Sequence, residues 1–431
     1  MRLNQATPEQ LREWETTLSE QYQAIQQAGL SLDLTRGKPS SDQLDLSNEL
    51  DGILNGKYTD SAGTDLRNYG GLDGIPEAKT LFANMVGVKP EEVMIGGNGS
   101  LSLMYFSVQT ALHQGVSDAD SAWSNEVQAN EGQPVKFLAP VPGYDRHFSV
   151  CEHLGVELIP VAMDENGPDM DQVEQLVQAD SSIKGIWCVP RFSNPTGVVY
   201  SDEVVQRIAR LGKIAGPNFR VFWDNAYAVH VLKDNAQELP NLMDYCRQEG
   251  TEDSVYIFGS TSKITFAGAG VAFMASSPAN LAVLKKHMGF TSIGPDKVNQ
   301  LRHVAFLKDS ATLSEHMSRH AAIMQPRFDA VLSSLRSELG DTDMGSWTEP
   351  EGGYFISFDS RPGLAREIIA LAAGAGVKLT PAGATFPYGN DPEDKNIRLA
   401  PSFPTISEIE KAMEVFITCV KLASVKQALA Q

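Results

Sequence analysis

Residues 255–274 read VYIFGSTSKITFAGAGVAFM, and the interpretation of the whole chain starts from this stretch. An apolar run of strand type leads into a turn of small and hydroxylated residues, and a second apolar run follows. Lys263 lies inside that turn, although lysine ordinarily keeps its ammonium group in water. Two interpretations stand at this point: a surface turn that carries a lysine, or a lysine whose amine is a chemical reagent.

Short apolar runs recur on both sides of this turn. From about residue 75 to residue 310 they alternate with helical patterns, which is typical of βαβ units and a mainly parallel sheet. We therefore predict an α/β fold whose main sheet has seven strands between helices: VMIGG, VKFLAP, VELIPVAM, IKGIWCVP, RVFWDNAY, SVYIFGS and VAFMA. Ligands of such sheets bind beyond the carboxyl ends of the strands, so polar residues there are the functional candidates.

The two ends of the chain differ from its centre. The sequence TPEQ predicts a capping box that opens a helix over 7–28, and the polar stretch 118–134 is interpreted as a surface loop. The predicted domains are an N-terminal arm with part of a small domain at 1–54, a large ligand-binding domain at 55–310, and a small C-terminal α+β domain at 311–431.

Charge and composition exclude several classes of function. Lys and Arg number 35 against 54 Asp and Glu, which gives a formal net charge of -19. An excess of acidic residues disfavours nucleic acid and an anionic membrane surface as partners. The four cysteines form no C-x-x-C pair or metal template, and the N-terminus has no apolar signal segment. We expect a cytoplasmic protein with free thiols and no metal site.

The turn after the first predicted strand, GGNGSLSLMY, is a candidate phosphate site. Gly99 lets the backbone approach a ligand, and Ser100 and Leu101 would open a helix with free N–H groups and the positive end of its dipole. An ordinary βα turn has the same pattern. Tyr144 follows the next strand, where its ring could stack on a planar ligand or simply pack against the rim of the sheet.

Further polar residues follow later strands. Asn194 opens the turn NPTG and can donate its amide to a ligand, although NPTG is also a turn signature without a ligand. Asp224 directly follows VFW, so its buried carboxylate needs a partner; the alternative is a helix cap. Tyr227 lies one turn further on. Arg398 follows a strand of the small domain and is either a carboxylate clamp or an ordinary ion pair.

Taken together, these residues describe pyridoxal phosphate held as a Schiff base. Lys263 supplies the amine, and burial would lower its pKa and make it nucleophilic. The flanking hydroxyls of Ser260 and Ser262 suit the phosphate. Asp224 would keep the pyridine nitrogen protonated, so that the ring acts as an electron sink.

The motifs NPTG, DNAY and STSK, in this order and spacing, resemble those of the class I and II aminotransferases of the fold-type I pyridoxal phosphate enzymes. The resemblance spans residues 30–420. The stretches TRGKPS, YGGLDGIPEAK and SKITFAGAGVAF are most similar to the atypical bacterial aspartate aminotransferases, which are related to the aminotransferase domains of MocR-type regulators. A fold-type I fold with a large pyridoxal phosphate domain and a smaller α+β domain is what this resemblance implies.

The resemblance also implies roles for single residues. Lys263 would be the Schiff-base lysine and proton shuttle, and Asp224 would pair with the pyridine nitrogen. Asn194 and Tyr227 would bind the phenolic oxygen of the cofactor, and Tyr144 would stack on its ring.

Other implied roles concern the phosphate, the substrate and a second subunit. Tyr69 resembles a tyrosine that reaches the phosphate of the neighbouring subunit, which implies a homodimer with shared active sites. Arg398 would clamp the substrate α-carboxylate, with Gly37 lying over the substrate. The phosphate would be held by Gly99, Ser100, Leu101, Ser260 and Ser262.

One position departs from the family pattern. Gly270 stands where relatives carry a phosphate-binding arginine in G-x-R-x-G. We hypothesise that Lys297, of the same or of the partner subunit, supplies the missing charge. The alternative is a solvated lysine at the start of a helix.

The resulting functional prediction is an aminotransferase that moves an amino group between L-aspartate and 2-oxoglutarate, giving oxaloacetate and L-glutamate, by a ping-pong Schiff-base mechanism. A dicarboxylic substrate needs a second cation, for which Arg36 is the candidate; a structural ion pair is the alternative for that residue. Competing functions are an aminotransferase for alanine, aromatic or other amino acids, a lyase on the same fold, and a ligand-sensing domain of a transcription regulator.

Overall fold

The structure is a computed structural model that describes residues 2–431. Its α-helices are α1 (Pro8–Gln27), α2 (Ser41–Asp45), α3 (Pro76–Val86), α4 (Ser100–His113), α5 (Trp123–Ala129), α6 (Asp145–Leu154), α7 (Met170–Ala179), α8 (Asp202–Ile214), α9 (Leu242–Glu249), α10 (Pro278–Met288), α11 (Lys297–Leu307), α12 (Ser310–Leu339), α13 (Ala365–Gly374) and α14 (Ile406–Ala430). Its strands are β1 (Leu32–Asp33), β2 (Val93–Ile95), β3 (Lys136–Val141), β4 (Glu157–Asp164), β5 (Gly167–Pro168), β6 (Ile183–Cys188), β7 (Arg220–Asp224), β8 (Val255–Ser260), β9 (Ala272–Ala275), β10 (Gly345–Trp347), β11 (Ile356–Ser360), β12 (Val377–Lys378) and β13 (Asn396–Leu399).

The main sheet has the strand order β2-β9-β8-β7-β6-β3-β4-β5. Strands β8, β7, β6, β3 and β4 run parallel, whereas β9 is antiparallel to both of its neighbours. The mainly parallel sheet is therefore confirmed, and each of the seven predicted strands lies in it. The predicted number is one short, because the two-residue strand β5 pairs antiparallel with the end of β4. Gly167 and Pro168 carry no alternating apolar pattern, so nothing marks them as a strand.

Helices cover both faces of this sheet, and each face has its own hydrophobic core. Along β7 the side chains alternate as the period of two requires: Val221 and Trp223 belong to one core and Phe222 to the other. All residues of β7 are buried, which explains why the strand reads as a continuous apolar run that ends in Asp224.

The N-terminal segment packs on the C-terminal one. Helix α1 begins with the predicted capping box, in which Gln10 N donates to Thr7 Oγ1 over 3.3 Å and Thr7 N donates to Gln10 Oε1 over 2.9 Å. Leu11 and Leu18 of this helix join the core formed by α12, α13 and α14. Strand β1 pairs parallel with β12, and β10, β11 and β13 form a small antiparallel sheet. The domain boundaries at 54 and 310 stay a prediction.

The interpretation of 118–134 as a loop is wrong, because the segment contains helix α5. Trp123 anchors that helix: its side chain is fully buried, its indole N–H donates to the carbonyl of Asn218 over 3.1 Å, and its ring packs edge-on against Phe137. A single buried aromatic residue outweighs the polar residues around it, which face water. Within residues 2–431, no helix has the length and apolar character needed to cross a membrane.

Candidate active site

Polar residues from several strand ends meet at the carboxyl edge of the main sheet. The amine of Lys263, after β8, lies 5.0 Å from the ring centroid of Tyr227, which follows β7. Asn194, beyond β6, accepts a hydrogen bond from Arg398 of the small sheet over 3.2 Å. The structure thus brings together residues that the sequence places as far apart as 194 and 398.

Lys263 has a free amine and a fixed main chain. Its side chain is partly buried, and its Nζ makes no hydrogen bond or ion pair with any residue in the range 2–431. Burial lowers the pKa of this amine, an effect that the nearby Asp224 carboxylate opposes. The carbonyl oxygen of Lys263, in contrast, accepts a hydrogen bond from His230 Nε2 over 3.1 Å. A less basic, unpaired amine on a fixed backbone suits a nucleophile.

Asp224 is buried, with one carboxylate oxygen bound and the other without a partner. Oδ2 lies 2.9 Å from His147 Nε2, whereas Oδ1 has no hydrogen-bond partner in the described chain. The ring of His147 stacks on Trp187 at 4.3 Å. An unpaired buried carboxylate oxygen is costly in isolation and suits a ligand that carries an N–H group. Sequence reasoning missed His147, because a histidine three residues after Tyr144 gives no sign of the carboxylate that it meets 77 positions away.

Tyr144 and Tyr227 flank this carboxylate. The ring of Tyr144 contacts His147 edge-on at 4.9 Å. Burial raises the pKa of Tyr227 far above its usual range, and the neighbouring Tyr144 and Asp224 add to the increase. Tyr227 therefore keeps its proton and can donate it in a hydrogen bond to an anionic oxygen.

The predicted phosphate site lies where α4 begins. Gly99 is the N-cap of this helix and provides no side-chain cap, so the N–H groups of Ser100 and Leu101 remain available, whereas Ser102 N donates to the Gly99 carbonyl over 3.3 Å. Ser262 Oγ donates to the carbonyl of Asn98 over 3.3 Å, and Ser260 Oγ lies 3.0 Å from Ser262 Oγ. Ser260 at the end of β8 and Ser262 just after it therefore lie beside the glycine turn, and their role at a phosphate stays a prediction.

At Gly270, where the family pattern has arginine, the surrounding atoms leave no room for a side chain. A Cβ atom at this position would lie 2.9 Å from Thr261 Oγ1 and 3.3 Å from Ser262 N. The Thr261 hydroxyl is fully buried, accepts a hydrogen bond from Val271 N over 2.9 Å and lies 3.0 Å from Thr265 Oγ1. Only glycine fits beside this network without a shift, which is a physical reason for the departure.

Lys297 is buried, and its amine is bound by backbone groups of its own chain. Its Nζ donates to the carbonyls of Asn68 and Gly70 over 2.9 and 2.6 Å. These two residues flank Tyr69, whose side chain is 84% exposed. Lys297 is thus neither a solvated helix-start lysine nor, within one chain, bonded to the serines and glycines of the phosphate site.

Arg398 is buried in a polar and aromatic setting. Nη1 donates to Asp145 Oδ1 over 3.0 Å as well as to Asn194, and the guanidinium lies 4.9 Å from the centroid of the Phe355 ring. Gly37 packs directly on the same Phe355 ring: a Cβ atom at position 37 would lie 2.1 Å from a ring carbon. The neighbouring Arg36 is exposed and forms no ion pair with the residues described.

The sequence profile described as aspartate amino-transferase matches residues 6–431. The chain belongs to the aspartate amino-transferase family. Within this family, an enzyme named aspartate aminotransferase from Corynebacterium glutamicum is 44% identical over 408 residues, which cover 94% of this chain and 93% of the relative. The crystal structure of an aspartate transaminase from Corynebacterium glutamicum matches with a TM-score of 0.94 at 43% identity and covers 99% of both chains.

A more distant structure supports the fold alone. The α-aminoadipate aminotransferase LysN of Thermus thermophilus, solved with N-(5'-phosphopyridoxyl)-L-leucine, matches with a TM-score of 0.74 at 22% identity, over 92% of this chain and 93% of that one. The predicted fold-type I fold and the prediction that the chain is an aminotransferase are confirmed by the family match and the Corynebacterium relatives.

The site fits pyridoxal phosphate, the cofactor on which amino-group transfer by this family depends. The unpartnered Asp224 Oδ1 suits a protonated ring nitrogen, and the free Lys263 amine suits an aldehyde. The uncapped start of α4 and the hydroxyl of Ser262 suit a phosphate. The predicted cofactor is confirmed with the family, whereas the roles of the single residues stay predictions.

Proposed function

We propose that the protein transfers an amino group between L-aspartate and 2-oxoglutarate, giving oxaloacetate and L-glutamate. The observation that carries this proposal is that three complementary groups lie in one site. They are the free amine of Lys263, the carboxylate of Asp224 with one unpartnered oxygen, and the buried guanidinium of Arg398. The name of the Corynebacterium glutamicum relative, aspartate aminotransferase, supports the choice of substrate.

Pyridoxal phosphate, when bound, supplies an aldehyde that bonds amines and a ring that withdraws electrons from the bonded carbon. The amine of Lys263 would hold this group through its aldehyde and, once released by the substrate amine, would act as the base that takes the proton from the substrate Cα. Asp224 Oδ1 holds a proton on the ring nitrogen, and His147 fixes the carboxylate in place. Tyr227 and Asn194 donate hydrogen bonds to the phenolic oxygen.

Substrate binding in this proposal depends on arginine. Arg398 binds the α-carboxylate with its planar fork, and Asp145 and Asn194 hold the guanidinium in orientation. Arg36 binds the second carboxylate. In support, its side chain makes no ion pair in the described chain, and its neighbour Gly37 packs against the Phe355 ring, which also contacts the guanidinium of Arg398.

The proposal includes a homodimer with shared sites in the cytoplasm. Tyr69, which is highly exposed on a loop held by Lys297, reaches the phosphate of the partner subunit. Lys297 then contributes its charge next to that phosphate. The four cysteines are free and buried, as is usual in a reducing compartment.

The decisive experiment is a coupled assay of the purified protein with L-aspartate and 2-oxoglutarate, in which malate dehydrogenase reports oxaloacetate. Borohydride reduction of the resting enzyme, followed by peptide mass spectrometry, should locate the cofactor on Lys263. A panel of alanine, aromatic and neutral amino acids is run in parallel. Turnover confined to those donors would overturn the aspartate assignment but keep the aminotransferase. Without a 2-oxo acid acceptor an aminotransferase releases at most one equivalent of product per active site, so repeated turnover without an acceptor would indicate a lyase.

A further inference from the structure

Below the reactive lysine lies a cluster of buried polar side chains that bind the main chain rather than the amine. We propose that His320 and Gln43 are positioning residues that fix the turn carrying Lys263 and tie it to the N-terminal segment. This inference rests on the proposed role of Lys263. It adds residues that touch neither cofactor nor substrate but determine where the lysine is held.

The backbone carbonyls of Lys263 and Ile264 are each approached by two side-chain donors. His230 Nε2 lies 3.1 Å from the carbonyl oxygen of Lys263, and Tyr354 OH lies 3.5 Å from it. The next carbonyl, that of Ile264, is approached by His316 Nε2 at 2.7 Å and by His320 Nε2 at 2.9 Å. Side chains from three separate segments of the chain thus hold one short turn.

The hydrogen-bond pattern assigns the proton of His320. Ser40 N donates to Gln43 Oε1 over 3.1 Å, which identifies the other amide atom of Gln43 as the Nε2 donor. That Nε2 lies 3.2 Å from His320 Nδ1, so Nδ1 accepts and the neutral ring carries its proton on Nε2. His320 Nε2 lies 2.9 Å from the Ile264 carbonyl and 3.1 Å from His316 Nε2. Because His316 Nε2 lies 2.7 Å from the same carbonyl and must donate to it, it cannot accept, so the proton of His320 points at the carbonyl. A single tautomer satisfies both ring nitrogens of His320.

Gln43 is the link to the N-terminal segment. Its side chain is fully buried, and its Nε2 also lies 3.2 Å from Tyr354 OH. It belongs to helix α2, which follows Gly37 by only a few residues. Arg327 of α12 anchors the start of α2 by donating to Ser40 Oγ over 2.7 Å. Hydrogen bonds therefore connect Ser40, three residues after Gly37, through Gln43 and His320 to the carbonyl of Ile264, the residue after the reactive lysine.

This arrangement has a consequence for the reaction. A lysine that alternates between bonding the cofactor and carrying a proton must move its amine, and the positions of both end points depend on its Cα. Fixing the carbonyls of Lys263 and Ile264 limits the movement to the side chain. Because the path ends at α2, a shift of the N-terminal segment on substrate binding would reach the lysine directly.

The test compares His320→Phe, which keeps a ring but no hydrogen bonds, with His320→Gln, whose amide can still donate to the Ile264 carbonyl. The holoenzymes are titrated with base and acid while the visible band of the bound cofactor is recorded. We expect His320→Phe to shift the midpoint of this titration by about half a pH unit or more and to lower kcat roughly tenfold with KM changed less than about threefold. His320→Gln should recover most of both effects.

Gln43→Leu provides the second arm. It should shift the midpoint in the same sense as His320→Phe, and the double variant should show less than the sum of the two effects, because both residues act through one path. Additive effects would overturn the link between the segment and the turn. An unchanged midpoint and kcat in His320→Phe would overturn the positioning role.

Leu335→Ala is the matched control, since Leu335 is a fully buried residue of the same helix α12 that packs in the small-domain core. It should lower the melting temperature but leave the titration midpoint unchanged. If Leu335→Ala shifts the midpoint as much as His320→Phe, the effect is general destabilisation and the proposal fails. Borohydride labelling at a residue other than Lys263 would instead defeat the proposed function, and the two failures are thus distinguishable.

Discussion

Two lysines of this protein are held by opposite ends: Lys263, in the turn at 261–265, by its main chain, and Lys297, beside the loop at 68–71, by its amine. At the turn, the protein binds the main chain of Lys263 and leaves its amine without a hydrogen bond in the described chain. At the loop, two backbone carbonyls bind the amine of Lys297. A bound ammonium stays charged and shapes its surroundings, whereas an unbound, partly buried amine loses basicity and can react. We therefore propose that the same type of side chain acts as a reagent at Lys263 and as a structural support at Lys297.

Lys263→Ala is the change that tests the first half of this comparison, and it has the largest expected effect. Removing the amine takes away both the bond to the cofactor and the proton carrier, so turnover should fall by at least about 10⁴-fold. The coupled oxaloacetate assay measures it. Lys297→Met, assayed at saturating cofactor, is the control and should keep a substantial part of the activity. Comparable turnover in the two variants would refute the assignment.

Arg398→Lys extends the comparison to a basic side chain of the same site, Arg398, which hydrogen bonds hold by its charged group. Lysine keeps the charge but cannot form the planar two-bond contact, and it leaves Asp145 or Asn194 without its donor. We expect kcat/KM for aspartate to fall roughly 100-fold, about 2.7 kcal/mol, chiefly through KM. Inhibition by a dicarboxylate without an amine should weaken in parallel. An unchanged KM would remove Arg398 from the carboxylate site.

Acid should weaken the histidine contacts that hold the turn. Burial lowers the pKa of His320 to about 4, an effect to which His316 adds and which Asp42 opposes. The folded state therefore resists a proton that the unfolded chain accepts below about pH 6.5, so stability is fully present above that pH and is lost as pH falls toward 4. Between pH 7 and pH 5 this group alone should remove about 2 kcal/mol from the free energy of unfolding.

Urea unfolding at pH 7 and at pH 5 measures this loss of unfolding free energy. In His320→Gln the loss between the two pH values should be smaller by the contribution of His320. His230, whose pKa burial lowers to about 3, continues to contribute in the variant. A variant with the same pH dependence as the parent would contradict the assignment.

Gly270→Ala tests how tightly the turn is packed. The new Cβ would lie 2.9 Å from Thr261 Oγ1, and we expect a loss of about 1.5 kcal/mol in the free energy of unfolding. Gly268→Ala is the matched control, because a Cβ there meets nothing within 4 Å; its effect should stay within about 0.5 kcal/mol. Equal melting temperatures of the two variants would show that the Thr261 contact relaxes freely.

Lys297→Met tests the second half of the comparison and has the smallest expected effect. Without the ammonium the loop around Tyr69 loses two charge-assisted hydrogen bonds, and the dissociation constant of pyridoxal phosphate should rise about tenfold. Fluorescence titration of the apoenzyme measures it. Lys285→Met, at a more exposed lysine, is the control. Full cofactor affinity in Lys297→Met would rule out any role of this lysine at the phosphate.

The sequence alone predicted the parts of the site that follow strands. Lys263, Asp224 and Asn194 are recognisable because an apolar run ends directly before or close to each of them, and the parallel sheet then brings them to one edge. The fold was predictable for the same reason, apart from the two-residue strand β5 and helix α5, whose signals are a Gly-Pro pair and one tryptophan.

Residues that act through tertiary contacts could not be predicted in this way. His147 meets Asp224 across 77 positions, and His320 meets the Ile264 carbonyl across 56. Both lie on helices where a histidine has the appearance of an ordinary core or surface residue. The sequence also gives no sign of the crowding between Thr261 and position 270, because a Cβ there would lie only 2.9 Å from Thr261 Oγ1, a few tenths of an ångström less than an ordinary contact.

The closeness of Thr261 to Gly270 constrains how this site can change over evolutionary time. An arginine at position 270 would give the phosphate the fixed cation found in the family pattern, but its Cβ conflicts with the Thr261 hydroxyl before its guanidinium can contribute. Removing that hydroxyl first breaks the hydrogen bond from Val271. Each single substitution is therefore expected to be unfavourable, and the two positions are epistatic.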